Sequence, residues 1–374
     1  MSEQDAGDYP GYGADDSQSN SEDIRPPRAR DPRDPQVSRR ALLAGVGLAG
    51  LGAAGLGLAD AAGLLGASPP LRHTRELAHL APTPTPTATP DTRPVSVVIT
   101  GDVMLARTVT QQILATHDHF PFEHTASFLA GFDLTVGNLE CVVSPLGSAI
   151  PGKEFTFEAT TQGFGRLVDA GFDVVSVANN HSGDYGKDAF VDMVRHLPGY
   201  GITPVGGGIN AAQAHAPVFK RVHSTTLGFL AYCEIGPFDF AATDTTPGHA
   251  WLTADALRAD ITAARPQCDF LVVFTHWGIE YQIVQTSDQV NMAHLAIDSG
   301  ADLVVGCHPH VIQPSEMYSG KPIIYSLGNF VFDYMTDPLT SAGHLLTFSV
   351  RGSRLLDWKL VNTSIGDWGQ PALV

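Results

Sequence analysis

The stretch Asp302-Leu303-Val304-Val305-Gly306-Cys307-His308-Pro309-His310 decides how the rest of the chain reads. Leu303 to Val305 is a short apolar run of the kind a buried strand carries, and it stops at Gly306. His308 and His310 follow with one residue between them. In extended backbone, positions i and i+2 face the same side, so both imidazoles reach one centre. Pro309 stiffens the link and removes a backbone donor. A loop with two ordinary histidines is the competing reading, and what stands at other strand ends decides between the two.

Other apolar runs end in the same way. Val95 to Thr100 reads as a first strand that delivers Gly101-Asp102, although Asp102 also suits a helix N-cap. Phe132 to Val136 is followed by Asn138 and Glu140, which flank the apolar Leu139. Asp173 to Ala178 runs into Asn179-Asn180-His181, with Ser182 to Gly186 as a turn that contains Asp184. Phe270 to Phe274 delivers Thr275-His276, with Trp277 and Tyr281 close enough to wall a pocket. Pro322 to Tyr325 leads to Ser326 through Asn329, with Asp333 soon after. Strands are also predicted at Phe155–Phe157 and Thr226–Tyr232, and helices at Thr161–Ala170, Lys187–His196 and Asn291–Ser299. His294 belongs on the surface of the last helix. Gly206 to Gly208 lacks the spacing of a phosphate cradle and reads as a strand-to-helix turn. Pro237 to Ala250 reads as an irregular loop at the rim of a site.

Strands alternating with helical patterns predict an α/β sandwich. Ligands of open α/β sheets gather at the carboxyl ends of strands. Asp102, Asn138/Glu140, Asn180/His181, His276 and His308/His310 all occupy such ends. The donors are carboxylate, amide oxygen and imidazole, a set suited to manganese, iron or zinc rather than calcium or magnesium. They outnumber the ligands of one tetrahedral ion, which predicts a two-metal site.

Composition narrows the rest. A formal net charge of −17 over 374 residues argues against a nucleic-acid or anionic-membrane surface role. Cys141, Cys233, Cys268 and Cys307 contain no CxxC pair, so buried free thiols are predicted, with one long-range disulfide as the alternative. Residues 1–37 are polar and nearly free of aliphatic side chains, the composition of a disordered tail. Residues 38–66 begin Ser38-Arg39-Arg40 and continue as an uncharged Ala/Gly/Leu run to Ala59, similar to a twin-arginine export signal with an A-x-A site at Ala59-Asp60-Ala61. Retention as a single membrane anchor is the alternative. Residues 67–93, with their Pro/Thr repeat at 82–90, form an extended linker. A folded domain is expected over 94–374, outside the cytoplasm, either at the cell surface or released.

Taken together, Gly101-Asp102-Val103-Met104, Asn138-Leu139-Glu140, Ala178-Asn179-Asn180-His181 through Asp184-Tyr185-Gly186, His276-Trp277-Gly278, Gly306-Cys307-His308-Pro309-His310 and Tyr325 through Phe330 resemble the CapA, or poly-γ-glutamate capsule biosynthesis, family. That family lies within the calcineurin-like metallophosphoesterases, and the motifs cover about residues 95–335 in the family's order. The resemblance implies a four-layer α-β-β-α sandwich. It implies Asp102 and His310 as ligands of a first metal, and Glu140 as the bridging carboxylate. Asn180, His276 and His308 would be ligands of a second metal, and Asn138 an added one. His181 would protonate the leaving group with Asp184 orienting it. Met104 departs from the superfamily's pattern, which has a ligand histidine there. The family further implies an anionic cell-surface polymer or its precursor as partner. The leading expectation is an extracytoplasmic two-metal hydrolase or transferase. The alternative is a non-enzymatic, membrane-anchored accessory subunit that works with membrane synthase subunits.

Overall fold

A computed structural model describes residues 91–116, 119–236 and 238–374, all within the compact unit Pro84–Val374. The tail at 1–37, the signal or anchor at 38–66 and all but residues 91–93 of the linker lie outside the described residues. Among the described residues, no helix is long and apolar enough to cross a membrane.

Two sheets carry the strands named above. The first runs in the order Pro371–Leu373, Arg354–Ile365, Ala342–Arg351, Val95–Val103, Leu134–Leu139, Val174–Ser176 and Thr203–Val205, and Asn329–Val331 pairs with the end of Val95–Val103. The second runs Ser315–Tyr318, Lys321–Ile324, Leu303–Cys307, Phe270–His276, Thr225–Cys233 and Val218–Val222. The strands from Val95–Val103 to Thr203–Val205 are mutually parallel, and so are those from Thr225–Cys233 to Lys321–Ile324. Their site-bearing ends therefore point one way within each sheet.

The two-residue period of a strand sorts its side chains between layers. Val97 and Ile99 pack with Val272, Phe274, Leu303 and Val305 in a core shared by both sheets. Val98 faces the opposite way, toward the helices Arg107–Ala115, Gln162–Ala170 and Gly186–His196, and so does Val103, which lies beyond a register shift between Ile99 and Asp102. Leu271, Val273 and Val304 pack with Leu257, Ile261, Ala293 and Ile297 of the helices Ala254–Ala264 and Ser287–Ser299. Being covered on both faces explains why these strands read as continuous apolar runs rather than as alternating ones. Two strand ends are crowded. A Cβ on Gly101 would sit 2.0 Å from the Gly328 carbonyl oxygen, and one on Gly306 would sit 2.0 Å from that of Tyr325.

Several expected elements differ. Phe155–Phe157 forms no strand; the pairing is between Val142–Val143 and Glu158–Ala159, and the Phe157 ring is drawn into the site. The last predicted helix starts at Ser287 rather than Asn291, because Thr286 and Gln289 close a capping box. Gly207–Gly208 is a short strand against Gly248–His249, followed by a helical turn capped by Asn210, so the triple glycine is not a bare turn. His294 is half-buried: its ring stacks 3.7 Å from that of Tyr318 and its Nε2 lies 2.5 Å from Glu316 Oε1. All four cysteines are free, as the spacing predicts, with Cys268 only partly buried.

Candidate metal centre

Asp102 and Glu140 end adjacent parallel strands, with Asp102 opposite Asn138 in the register. Both carboxylates are fully buried. Asn138 Nδ2 donates to Asp102 Oδ1 at 2.8 Å and lies 3.2 Å from His276 Nδ1, while its Oδ1 accepts from Asn179. The His308 backbone N–H donates to Asp102 Oδ2 at 3.2 Å, and His310 Nδ1 lies 3.5 Å from the same oxygen. Glu140 Oε1 is 3.7 Å from both His276 Nε2 and His310 Nε2. His276 Nε2 also lies 2.8 Å from Asn180 Oδ1.

Two donor triads result, Asp102/Glu140/His276 and Glu140/His308/His310, each with its atoms within 4.8 Å of one another. Glu140 belongs to both. Among the described residues neither of its oxygens has a hydrogen-bond partner, and neither does His308 Nδ1. Orphaned buried polar atoms cost about 1–3 kcal/mol each, so three together, converging with imidazoles, fit cation ligands. Burial, reinforced by the Asp102 charge, pushes the Glu140 carboxyl well above the usual range. Burial and neighbouring imidazoles hold His276 well below its ordinary value and His308 down to about 3, so both are neutral donors. Burial alone would penalise the charges of Asp102 and His310, but their mutual contact wins and lowers the acid while raising the base.

The two histidines of the opening stretch converge for a reason other than strand pleat. His308 and His310 have φ values of 95° and 57°, in the left-handed region, rather than extended backbone. Their ring centroids are 5.8 Å apart. Such backbone costs about 1–3 kcal/mol per residue and concentrates at functional sites. Pro309 contributes its carbonyl oxygen, which accepts from the Tyr281 N–H at 2.7 Å. Tyr281 reaches the rim, 6.2 Å ring to ring from His310. Trp277 does not wall the pocket: it is buried under the second sheet, with its Nε1 donating to the Tyr325 carbonyl. Met104 turns into the apolar core, where its Sδ accepts from the Ala106 N–H.

Beside the cluster, His181 Nδ1 lies 2.6 Å from Asp184 Oδ2. The Phe157 N–H donates to the same oxygen at 2.7 Å, and the Phe157 ring stacks on His181 at 3.9 Å. Lys153 Nζ donates to Asp184 Oδ1 and, at 2.6 Å, to the Asn180 carbonyl oxygen. Burial lowers the basicity of His181, and the Asp184 charge works against that. A cavity of about 260 Å³ opens here, lined by Lys153, Asn180, Gly183, Asp184, Phe240 and His249 among others.

Residues 96–334 match the family model described as bacterial capsule synthesis protein PGA_cap. The chain belongs to this family. Every donor named above lies inside the matched span, and the long hairpin Ala342–Arg351/Arg354–Ile365 lies beyond it. The family's PGA biosynthesis protein CapA of Bacillus subtilis (strain 168) is 31% identical over 241 residues, which are 64% of this chain and 63% of that protein. The capsule biosynthesis protein CapA of Bacillus anthracis is 30% identical over 246 residues, 64% of this chain and 60% of that protein. The chain thus spans less than two thirds of the length of these relatives. Among solved structures, a 5'-nucleotidase precursor from Thermus thermophilus aligns with a TM-score of 0.41 at 13% identity, covering 75% of this chain and 55% of that one.

Sequence reasoning missed Lys153 and Arg107. Lys153 sits in the loop segment Pro151-Gly152-Lys153-Glu154, which has no periodicity to flag it. Arg107, the first residue of its helix, pairs with buried Asp333, a residue noted in the sequence only for following a strand end.

Proposed function

We propose that this chain is an extracytoplasmic, metal-dependent hydrolase or transferase of the metallophosphoesterase type that acts in the synthesis of a capsular poly-γ-glutamate or a related envelope polymer. The observation that carries the reading is the convergence of Asp102, Glu140, His276, His308 and His310 around unpartnered carboxylate and imidazole atoms, with the His181–Asp184 pair beside them. The relatives' names supply the polymer, and the twin-arginine-like segment supplies the exported location.

Two divalent ions of the manganese, iron or zinc type would be held by Asp102, Glu140 and His276, with Asn180 Oδ1 beside His276, and by Glu140, His308 and His310; this regroups the ligands that the family resemblance implied. When bound, such ions supply an activated water and a positive field for charge that develops on a phosphoryl or acyl group. The chain's own residues do the rest. Asp184 accepts from His181 Nδ1–H and so fixes the ring with Nε2 as its free edge; from the doubly protonated ring, Nε2–H would pass its proton to the leaving group and leave the neutral Nδ1–H imidazole behind. Lys153 holds the other oxygen of Asp184 and ties the pair to the Asn180 carbonyl. The Phe157 ring covers one face of the imidazole and excludes water from it.

The test is elemental analysis of purified protein combined with an activity screen of phosphate esters and γ-glutamyl amides. About two transition-metal ions per chain, and turnover lost in His181→Ala with the metals retained, are expected. Metal-free protein with an intact fold refutes the reading. Met104, in the place of a ligand histidine, favours a second reading: a non-enzymatic accessory subunit of a membrane synthase. Mature protein recovered in the medium, free of the segment at 38–66, would count against that one.

A further inference from the structure

We infer that Arg107, with Tyr334 against its guanidinium and Tyr281 on the His310 side of the rim, forms a subsite that binds an oxyanion group of the substrate, carboxylate or phosphate, at the edge of the metal centre. This rests on the proposed function for its position but not for its chemistry. The Arg107 guanidinium lies over three rings, with Cζ 4.7 Å from the centroid of Phe157, 5.3 Å from that of Tyr334 and 5.6 Å from that of Phe332. Those rings touch the site: Phe157 stacks on His181 at 3.9 Å, and Phe332 meets His310 edge-on at 4.9 Å. The guanidinium is thus one ring away from both the proton donor and a metal ligand.

The group is held but not used up. Its Nη2 donates to Asp333, which is buried and also accepts from the Thr108 N–H at 2.9 Å. Its Nε is buried without a hydrogen-bond partner among the described residues. A guanidinium fixed on one arm and stacked on aromatic faces is a preorganised fork for a carboxylate or phosphate. The backbone supports the assignment. Arg107, Tyr281 and Tyr334 have φ values of 52°, 62° and 59°, all left-handed. Both tyrosines are more than half exposed, at 56% and 69%, which leaves their hydroxyls available as donors. Strain at the first residue of one helix and at one residue on each of two loops, all bordering one site, is the pattern of a built binding rim. In a chain with a formal net charge of −17, a guanidinium at the rim gives an anionic group a local point of attachment.

The inference is tested by calorimetric titration of the full chain with two probes, inorganic phosphate and a γ-linked pentaglutamate, at fixed ionic strength, with metal content measured on every sample. Wild-type protein is expected to bind one of the two, and the probe that binds identifies the source of the oxyanion. Arg107→Gln should weaken that binding at least tenfold while metal content stays unchanged. Arg107→Lys, which keeps the charge but loses the fork, should recover only part of it and serves as the folded control if the glutamine variant is unstable. Equal binding by wild type and Arg107→Gln, or no binding of either probe by wild type, overturns the subsite. Metal-free protein that still binds a probe through Arg107 would refute the metal-centre reading and keep this one.

Discussion

Asp184 divides its two oxygens between His181, 2.6 Å away at Nδ1, and the ammonium of Lys153. One carboxylate thereby fixes the tautomer of the imidazole and anchors the loop that carries the lysine. Removing its charge should leave the imidazole in place but poorly oriented. Asp184→Asn is expected to lower kcat about 10–100-fold with little change in bound metal, by the size of effect seen when partners of catalytic or ligand histidines are lost. His181→Ala should cost more, about 100–10,000-fold, as expected for loss of a general acid. Comparison of kcat and metal content for the two variants is the check, and equal loss of metal in both would show that they act on the centre itself.

Lys153 donates to the carbonyl of Asn180, whose side chain faces His276. The lysine therefore holds the His181–Asp184 pair and a candidate ligand together. Lys153→Met keeps the stem and removes the ammonium. It should lower kcat about tenfold or more, in the range of an outer-shell partner, whereas Lys153→Arg should restore part of the rate. A change confined to KM would contradict the positioning role.

Much of this centre was legible because each candidate ligand follows an apolar strand that stops at a small or polar residue. Val95–Val103, Phe270–His276 and Leu303–Cys307 are buried on both faces, so composition alone announces them. What escaped has a common physical cause. Lys153 and Arg107 act across 31 and 226 positions of sequence through single side-chain contacts, which leave no periodic trace. Trp277 was misplaced because proximity to His276 in sequence says nothing about which face of a strand end the indole takes. The convergence of His308 and His310 was expected from pleat but arises from left-handed backbone, a conformation their residue type does not advertise. The long C-terminal hairpin went unread, since its inner strand Ala342–Arg351 mixes buried and half-buried positions without a clean alternation.

Glu140 joins both donor triads and has no hydrogen-bond partner at either oxygen among the described residues. Bound cations stabilise the folded state by mass action, about 2.7 kcal/mol at a hundredfold excess over Kd. Chelator treatment should therefore lower Tm, and added manganese or zinc should restore it. In Glu140→Gln the same additions should raise Tm far less. An identical metal-dependent rise in that variant would place the ions elsewhere.

Met104 packs in the core with its Sδ accepting from the Ala106 N–H at 3.1 Å, so its thioether is not offered to the metal centre. Met104→Leu conserves volume and should cost less than about 1.5 kcal/mol. Metal content is expected to stay at the wild-type value. Loss of one ion per chain would identify the sulfur as a ligand.

Gly306 lets the strand Leu303–Cys307 pass against its neighbours just before the two histidines. A Cβ there would lie 2.0 Å from the Tyr325 carbonyl oxygen and 2.4 Å from Trp277 Nε1. Neither can retreat easily, since Trp277 is buried and its Nε1 is bonded to that same carbonyl at 2.9 Å. Relief would require separating Leu303–Cys307 from Lys321–Ile324, whose pairing holds the strand end. Gly306→Ala should therefore destabilise by about 3 kcal/mol, at the upper end for overpacking. It should appear as a lower urea midpoint with an unchanged slope. Because His308 starts two residues later, metal affinity should fall as well, even under conditions where the variant is fully folded. A variant as stable as wild type would show that the strand end can yield, and that the left-handed histidines are not held by this contact.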